Sequence, residues 1–320
     1  MNYTDNSYVT MLLTMALSPD REEYARPYSV SEYRVLEAKV RKSQKVKSLG
    51  AMLGMDISGM MMYLDMQEDE AYRVYTLLNR GVQLSYAMDG FMRQGIDVVT
   101  CCDDEYPQRL RSKLLDAAPP AFYRCGNAAL LDGPAIAILG TGGTRTGNDV
   151  REAIGILVDG AVRHGYTVIT GGEPGVCRYA EGKTAQAGGK LVDVLGGGFS
   201  EHIHSDEIAA MIASDRAATL CLEHPEAMFT TTHAIARSRL LFALADAAFV
   251  FNTDGRRGEL EAIQSRTCDW IYAWPGCDGC RTLISRGAIP MNDLSHQDFD
   301  DLSRHWSTSR AEQLNMFDLF

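Results

Sequence analysis

From Pro134 onward, short apolar runs alternate with segments patterned as helices. The runs occupy 135–139, 167–170, 191–195, 219–222, 248–252 and 270–273, and helical rhythm falls near 149–164, 176–187, 205–213, 232–245 and 259–267. Continuous apolar strands separated by helices predict a sheet covered on both faces. The fold class expected is therefore α/β, a doubly wound, mostly parallel Rossmann-like sheet. Residues 1–97 carry a different pattern, with amphipathic charged stretches at 34–47 and 69–80, and predict an N-terminal helical domain. Its methionine-rich run, 52–63, reads as adaptable core filler. Residues 98–133 lead into the core: a short strand at 96–100, an acidic turn closed by Pro107, and an extended linker at 118–124. Residues 134–292 form the Rossmann-like domain, and 293–320 form a polar tail.

Sheets of this kind bind ligands beyond the C-terminal ends of their strands. The stretch after the first apolar run, Gly140-Thr141-Gly142-Gly143-Thr144-Arg145-Thr146-Gly147, has the order strand, glycine turn, helix. That order lets backbone N–H groups and a helix N-terminus meet a phosphate. The later loops add Gly171, Gly172 and Gly175, then Gly197 and Gly198, and Asp254-Gly255-Arg256-Arg257-Gly258-Glu259. Arg145, Arg256, Arg257 and the Arg237-Ser238-Arg239 triplet bring positive charge to the same predicted edge, where guanidinium forks suit phosphate oxygens. Glu173, Glu181, Glu223, Glu259 and Glu261 bring carboxylates. Glu223, Glu259 and Glu261 are the candidates for acid chemistry on an N-glycosidic bond; Glu181 reads as a helix-surface residue.

Formal net charge is −11 over 320 residues, which disfavours indiscriminate binding to nucleic acid and confines any such site to a local basic patch. No segment reaches the roughly 18 apolar residues of a membrane span. The N-terminus lacks a signal-peptide pattern, so a cytoplasmic address is expected. Eight cysteines without framework spacing fit reduced thiols. Cys277-x-x-Cys280, with Cys268 upstream, lacks the second pair that a zinc site needs. His202, His204, His224 and His233 read as loop and surface residues, and neither a metal nor a cofactor is expected.

The ordered motifs resemble the DNA-processing protein A (DprA/Smf) family. Ile96-Asp-Val-Val-Thr-Cys-Cys-Asp-Asp-Glu-Tyr-Pro-Gln-Arg-Leu110 is similar to the family's opening motif, and Pro119-Pro-Ala-Phe-Tyr-Arg-Cys-Gly126 to its linker. The segments 136–147, 170–176, 194–198, 223–225, 236–241, 273–276 and 283–288 follow in family order. The resemblance implies single-stranded DNA as ligand, a homodimer, and a recombinase as partner, with Arg237 and Arg239 on phosphates and Gly140, Gly171 and Gly175 approaching the backbone. The chain departs from the family pattern as well. The family's Asp and His after the second strand are replaced by Cys177 and Glu181, its Arg-Asn-Arg carries Ser238, and Arg145 is displaced. The winged-helix domain that many members carry is not expected in this chain. The wider superfamily contains cytokinin-activating phosphoribohydrolases, whose Gly-Gly-x-Gly-Thr-x-x-Glu element is loosely echoed by 255–261. An N-glycosidase in metabolism or antiviral defence, and a nucleotide-signal sensor, therefore stand beside the DNA-binding reading. In the tail, Gln313-Leu-Asn-Met316-Phe317 resembles the pentapeptide that docks bacterial DNA enzymes on the replication sliding clamp. Gln313 would supply hydrogen bonds, and Met316 and Phe317 adjacent apolar anchors.

Overall fold

The computed structural model describes residues 3–18, 25–140, 147–254, 258–291, 300 and 304. The chain divides into two compact units, Met1–Cys125 with Gly197–Ser200 and Leu220–Phe229, and the remainder, Gly126–Gly196, Glu201–Thr219 and Thr230–Phe320. None of the helices among the described residues is long and apolar enough to cross a membrane.

In the first unit, helices α1 (Asp5–Thr14), α2 (Val30–Lys42), α3 (Ile57–Leu64), α4 (Glu68–Leu78) and α5 (Gly81–Arg93) precede strand β1 (Ile96–Thr100). Helix α6 (Gln108–Leu114) and strand β2 (Ala121–Gly126) follow. Both α1 and α2 open on capping boxes, at Thr4 with Ser7 and at Ser29 with Glu32, which satisfy N-terminal N–H groups that have no partner inside the helix. Val9, Tyr33, Leu36, Met52, Met60 and Val74 are buried together, so part of the methionine run fills core while Met62 turns outward. The stretch expected as a linker, 118–124, is largely strand: β2 pairs antiparallel with β1, Val98 opposite Tyr123. Its alternation Ala-Phe-Tyr-Arg is too short to separate an edge strand from extended coil.

After residue 126, for the most part in the second unit, come β3 (Ala135–Gly140), α7 (Asn148–His164), β4 (Thr167–Thr170), α8 (Val176–Gln186), β5 (Lys190–Leu195), α9 (Phe199–Ile203) and α10 (Asp206–Ala213). They are followed by β6 (Ala217–Cys221), α11 (Thr231–Leu244), β7 (Ala247–Asn252), α12 (Gly258–Ser265), β8 (Trp270–Ala273), α13 (Asp278–Ser285) and β9 (Ile289–Pro290). Strand order is β6-β5-β4-β3-β7-β8-β9. The pairs β3–β4, β4–β5, β3–β7, β7–β8 and β8–β9 are parallel. These strands are buried along most of their length, which is why the sequence shows them as unbroken apolar runs. Chain order runs outward from β3 to β6, then restarts at β7 on the other side of β3. The topological switch point, the place where a doubly wound sheet opens a ligand crevice, thus lies between the C-terminal ends of β3 and β7.

Candidate functional site

A cleft of about 520 Å³ opens at that switch point, inside the second unit. Gly140 at the end of β3 and Asp254 just after β7 line it, with Glu173, Arg237, Ser238 and Glu259. Arg237 comes from α11, whose first turn is fixed by the Thr230 hydroxyl accepting from the His233 N–H at 3.1 Å. The residue is only 4% exposed, and its guanidinium is ion-paired with Glu173 from the β4–α8 loop. A Cβ on Gly171 would collide with the same guanidinium and with the Glu173 carboxylate, so a side chain there would displace that pair. Gly175, the N-cap of α8, has φ of +97°, a glycine conformation, and this turns the loop back toward the helix. Nε of Arg237 has no hydrogen-bond partner among the described residues. Burial pushes the Arg237 guanidinium down to about 10, against the opposing pull of Glu259, which leaves it charged at neutral pH. Glu259 accepts from the Thr253 hydroxyl at 3.0 Å, and burial raises its carboxyl above the ordinary range. Among the described lining residues, one guanidinium thus faces the acidic side chains Glu173, Asp254 and Glu259.

The cleft gathers some of the sequence candidates and leaves others out. Gly140, Arg237, Ser238 and Glu259 line it, and Gly171 backs it. Ser238 spends its hydroxyl on the Ala234 carbonyl at 2.9 Å. Arg239, two residues along the helix from Arg237, is half exposed and pairs with Glu261 at 2.7 Å. Neither Arg239 nor Glu261 is among the cleft-lining residues. Glu223, Gly197 and Gly198 belong to the first unit, where Gly197 lies against the backbone of Met228 and Phe229. Thr141, Gly142, Gly143, Arg145, Arg256, Arg257, Gln313, Met316 and Phe317 lie outside the described residues. Cys277, half of the candidate zinc pair, caps α13 by accepting from the Cys280 N–H at 3.3 Å.

The family model for DNA recombination-mediator protein A matches residues 97–299, nearly two thirds of the chain. The chain belongs to that family. Its fold is similar to the DNA processing protein A of Streptococcus pneumoniae, with a TM-score of 0.63 at 20% identity over 93% of this chain and 97% of that one. It is also similar to the DNA processing protein A of Helicobacter pylori, described for its single-stranded DNA binding mode. That match has a TM-score of 0.52 at 18% identity, over 66% of this chain and 98% of that one. No curated protein matches the sequence. The family span contains the whole cleft and the second polar cluster described next.

That second cluster was missed by sequence reasoning. Thr170 at the end of β4 places its hydroxyl 2.9 Å from Oε1 of Glu181 and 2.6 Å from Oδ1 of Asp193. Nε2 of His202 lies 2.8 Å from the other Asp193 oxygen, Oδ2. Glu181 and Asp193 are each 1% exposed and His202 is buried, which corrects the surface reading of Glu181 and His202. The reason is that α8 is enclosed on two sides, packing on α7 as well as on β3, β4 and β5. Burial and then the Asp193 charge push the Glu181 carboxyl up to about 8. His224 and His233 are buried too; His224 packs edge-on against the Phe91 ring, centroids 5.5 Å apart, within the first unit. One signal was available: Asp193 is a lone acid in the centre of an apolar strand, Leu-Val-Asp-Val-Leu, and a buried strand tolerates such a residue only with partners.

Proposed function

We propose that this protein acts in DNA processing or recombination by binding single-stranded DNA, with a backbone phosphate taken into the cleft at Arg237. The supporting observation is the state of that arginine: buried, charged and lining the cleft, with its Nε donor unmet among the described residues. A buried charged donor without a partner is costly, and an incoming phosphate oxygen would remove that cost. The −11 net charge and the three acidic side chains of the cleft make the site selective, since DNA must displace the Glu173 carboxylate to reach Arg237. Arg145, Arg256 and Arg257 would extend the contact along the strand, and the glycine-loop N–H groups would add neutral donors. Arg239, engaged with Glu261 at the surface, would contribute less than Arg237. The test is fluorescence anisotropy with labelled single-stranded DNA: Arg237→Gln weakens binding about tenfold or more and shrinks the salt slope by roughly 0.7, the value of one phosphate contact. Unchanged binding would remove Arg237 from the interface.

The cleft also favours one form of the hydrolase reading. Glu259 is a buried carboxyl with a raised protonation range inside a volume suited to a nucleotide-sized ligand. Of the three acidic candidates, only Glu259 lines the cleft. Release of free base from nucleotides or DNA by the wild type, abolished in Glu259→Gln, would establish that chemistry. A recombinase, a second copy of the chain, and a sliding clamp docked on Gln313, Met316 and Phe317 are proposed partners. Binding of purified clamp to full-length protein but not to a Met316→Ala/Phe317→Ala variant tests the last.

A further inference from the structure

The Glu181–Asp193–His202 cluster holds more acceptor capacity than donors to fill it. Thr170 has a single hydroxyl proton, yet its oxygen lies within hydrogen-bond distance of two carboxylates. It can donate to only one of them at a time. His202 can donate one ring proton to Asp193, across 2.8 Å. Oε2 of Glu181 then accepts no hydrogen bond among the described residues, although its side chain is fully buried. The Arg178 guanidinium lies 3.1 Å from that oxygen without hydrogen-bond alignment, and is itself half exposed. Enclosed carboxylates with an oxygen that accepts no hydrogen bond and an adjacent imidazole leave room for a further positive centre beyond Arg178, a proton or a metal ion.

The donor set identifies what kind of centre fits. One imidazole nitrogen and two carboxylate oxygens, one from each acid, all lie within 4.8 Å of one another. Around an ion with ligand bonds of about 2.0–2.2 Å, neighbouring ligand atoms sit roughly 3.0–3.5 Å apart. The 2.8 Å between His202 Nε2 and Asp193 Oδ2 is near that spacing, and the remaining separations, all within 4.8 Å, would contract on binding. Two acids and a neutral imidazole suit a borderline divalent ion, and the Thr170 hydroxyl is placed as the outer partner that orients the ligating carboxylates.

We propose that Glu181, Asp193 and His202 form a binding site for a divalent transition-metal ion, Zn²⁺ in the first instance. The site lies under the β4–α8 loop. The Gly172 N–H donates to Thr170 Oγ1 at 3.3 Å, and a side chain on Gly172 would strike Leu195 and approach the His202 ring. Occupancy by the ion therefore holds the segment 170–173 in place, and Glu173 on that segment is the partner of Arg237. The ion is structural, since its three protein ligands are buried away from the cleft lining.

Full-length protein stripped with a chelator is titrated with Zn²⁺ against a chromophoric competitor, and separately with Co²⁺ while its absorption spectrum is recorded. One ion per chain is expected. His202→Ala and the near-isosteric Glu181→Gln should each weaken it at least about tenfold, since losing even an outer partner of a metal site costs that much. Cys277→Ser/Cys280→Ser and Cys101→Ser/Cys102→Ser should leave it intact. The Co²⁺ spectrum should show visible ligand-field bands without intense near-ultraviolet thiolate absorption, a readout that needs no variant to fold. Zn²⁺ should also raise the unfolding temperature of the wild type and not that of Glu181→Gln. Absence of stoichiometric binding, a thiolate spectrum, or loss of the site in the cysteine variants alone would overturn the proposal and leave the cluster balanced by protons. Because no DNA is present, its failure leaves the DNA-binding reading untouched.

Discussion

The cleft around Arg237 and the cluster around Asp193 meet the same four-residue segment, Thr170 to Glu173, from different sides, and they carry opposite imbalances. In the cleft of about 520 Å³, a buried lining guanidinium keeps one donor unmet among the described residues. In the cluster, two carboxylates and an imidazole are closed in with too few donors and hardly any exposed surface. A buried cation that lines open volume, with one donor unmet beyond its pair with Glu173, belongs to a site that an anion visits. Acids sealed inside with too few donors belong to a site that a further cation, proton or metal, balances. The shared segment means that a structural feature holds a functional one in place.

The largest expected effect separates the two regions by stability. Asp193→Ala strips the partner of both Thr170 and His202, and urea unfolding should show a loss on the order of 3 kcal/mol. A loss below about 1 kcal/mol would mean the cluster is not a structural anchor. Next in size is a gain of function in the cleft. Glu173→Gln removes the carboxylate that competes for Arg237, so single-stranded DNA affinity should rise about tenfold, the worth of one charge-assisted contact. A fall in affinity would show instead that Glu173 positions the arginine for its ligand. The smallest effect concerns pH. Burial raises the Glu259 carboxyl, so the folded chain holds this proton more tightly than the unfolded chain. The resulting stabilisation is present below the ordinary glutamate value of 4.5 and fades as pH rises through the folded value. Wild type should therefore lose stability relative to Glu259→Gln between pH 4.5 and neutrality in urea unfolding, whereas parallel profiles would place Glu259 in contact with solvent.

What could be read from the sequence follows from the same physics. The strands of the second unit were visible because strands buried on both faces are unbroken apolar runs, and the switch point follows from their order. The strand β2 was hidden because an extended segment rich in proline and aromatics looks alike paired or unpaired. Arg237 stood out in its Arg-Ser-Arg triplet, but the triplet does not act as a unit. Residues two apart on a helix point to opposite sides, so Arg237 enters the cleft while Arg239 meets Glu261 at the surface. The buried stripe of α8, at Cys177, Ala180, Glu181 and Thr184, keeps helical spacing, and only the acid in it made it look exposed. No sequence pattern announces that Glu181, Asp193 and His202 converge, because a helix, a strand and the helix after it bring them together from separate places.

The most direct test of the central claim is the binding of labelled single-stranded DNA, by anisotropy, to wild type and Arg237→Gln between about 50 and 200 mM salt. Binding by the wild type should fall steeply with salt. Arg237→Gln should bind at least about tenfold more weakly at the low end with a shallower slope, while remaining folded by circular dichroism. Equal affinity and equal slope for the two proteins would contradict the account, because the buried arginine of the cleft would then take no part in holding DNA.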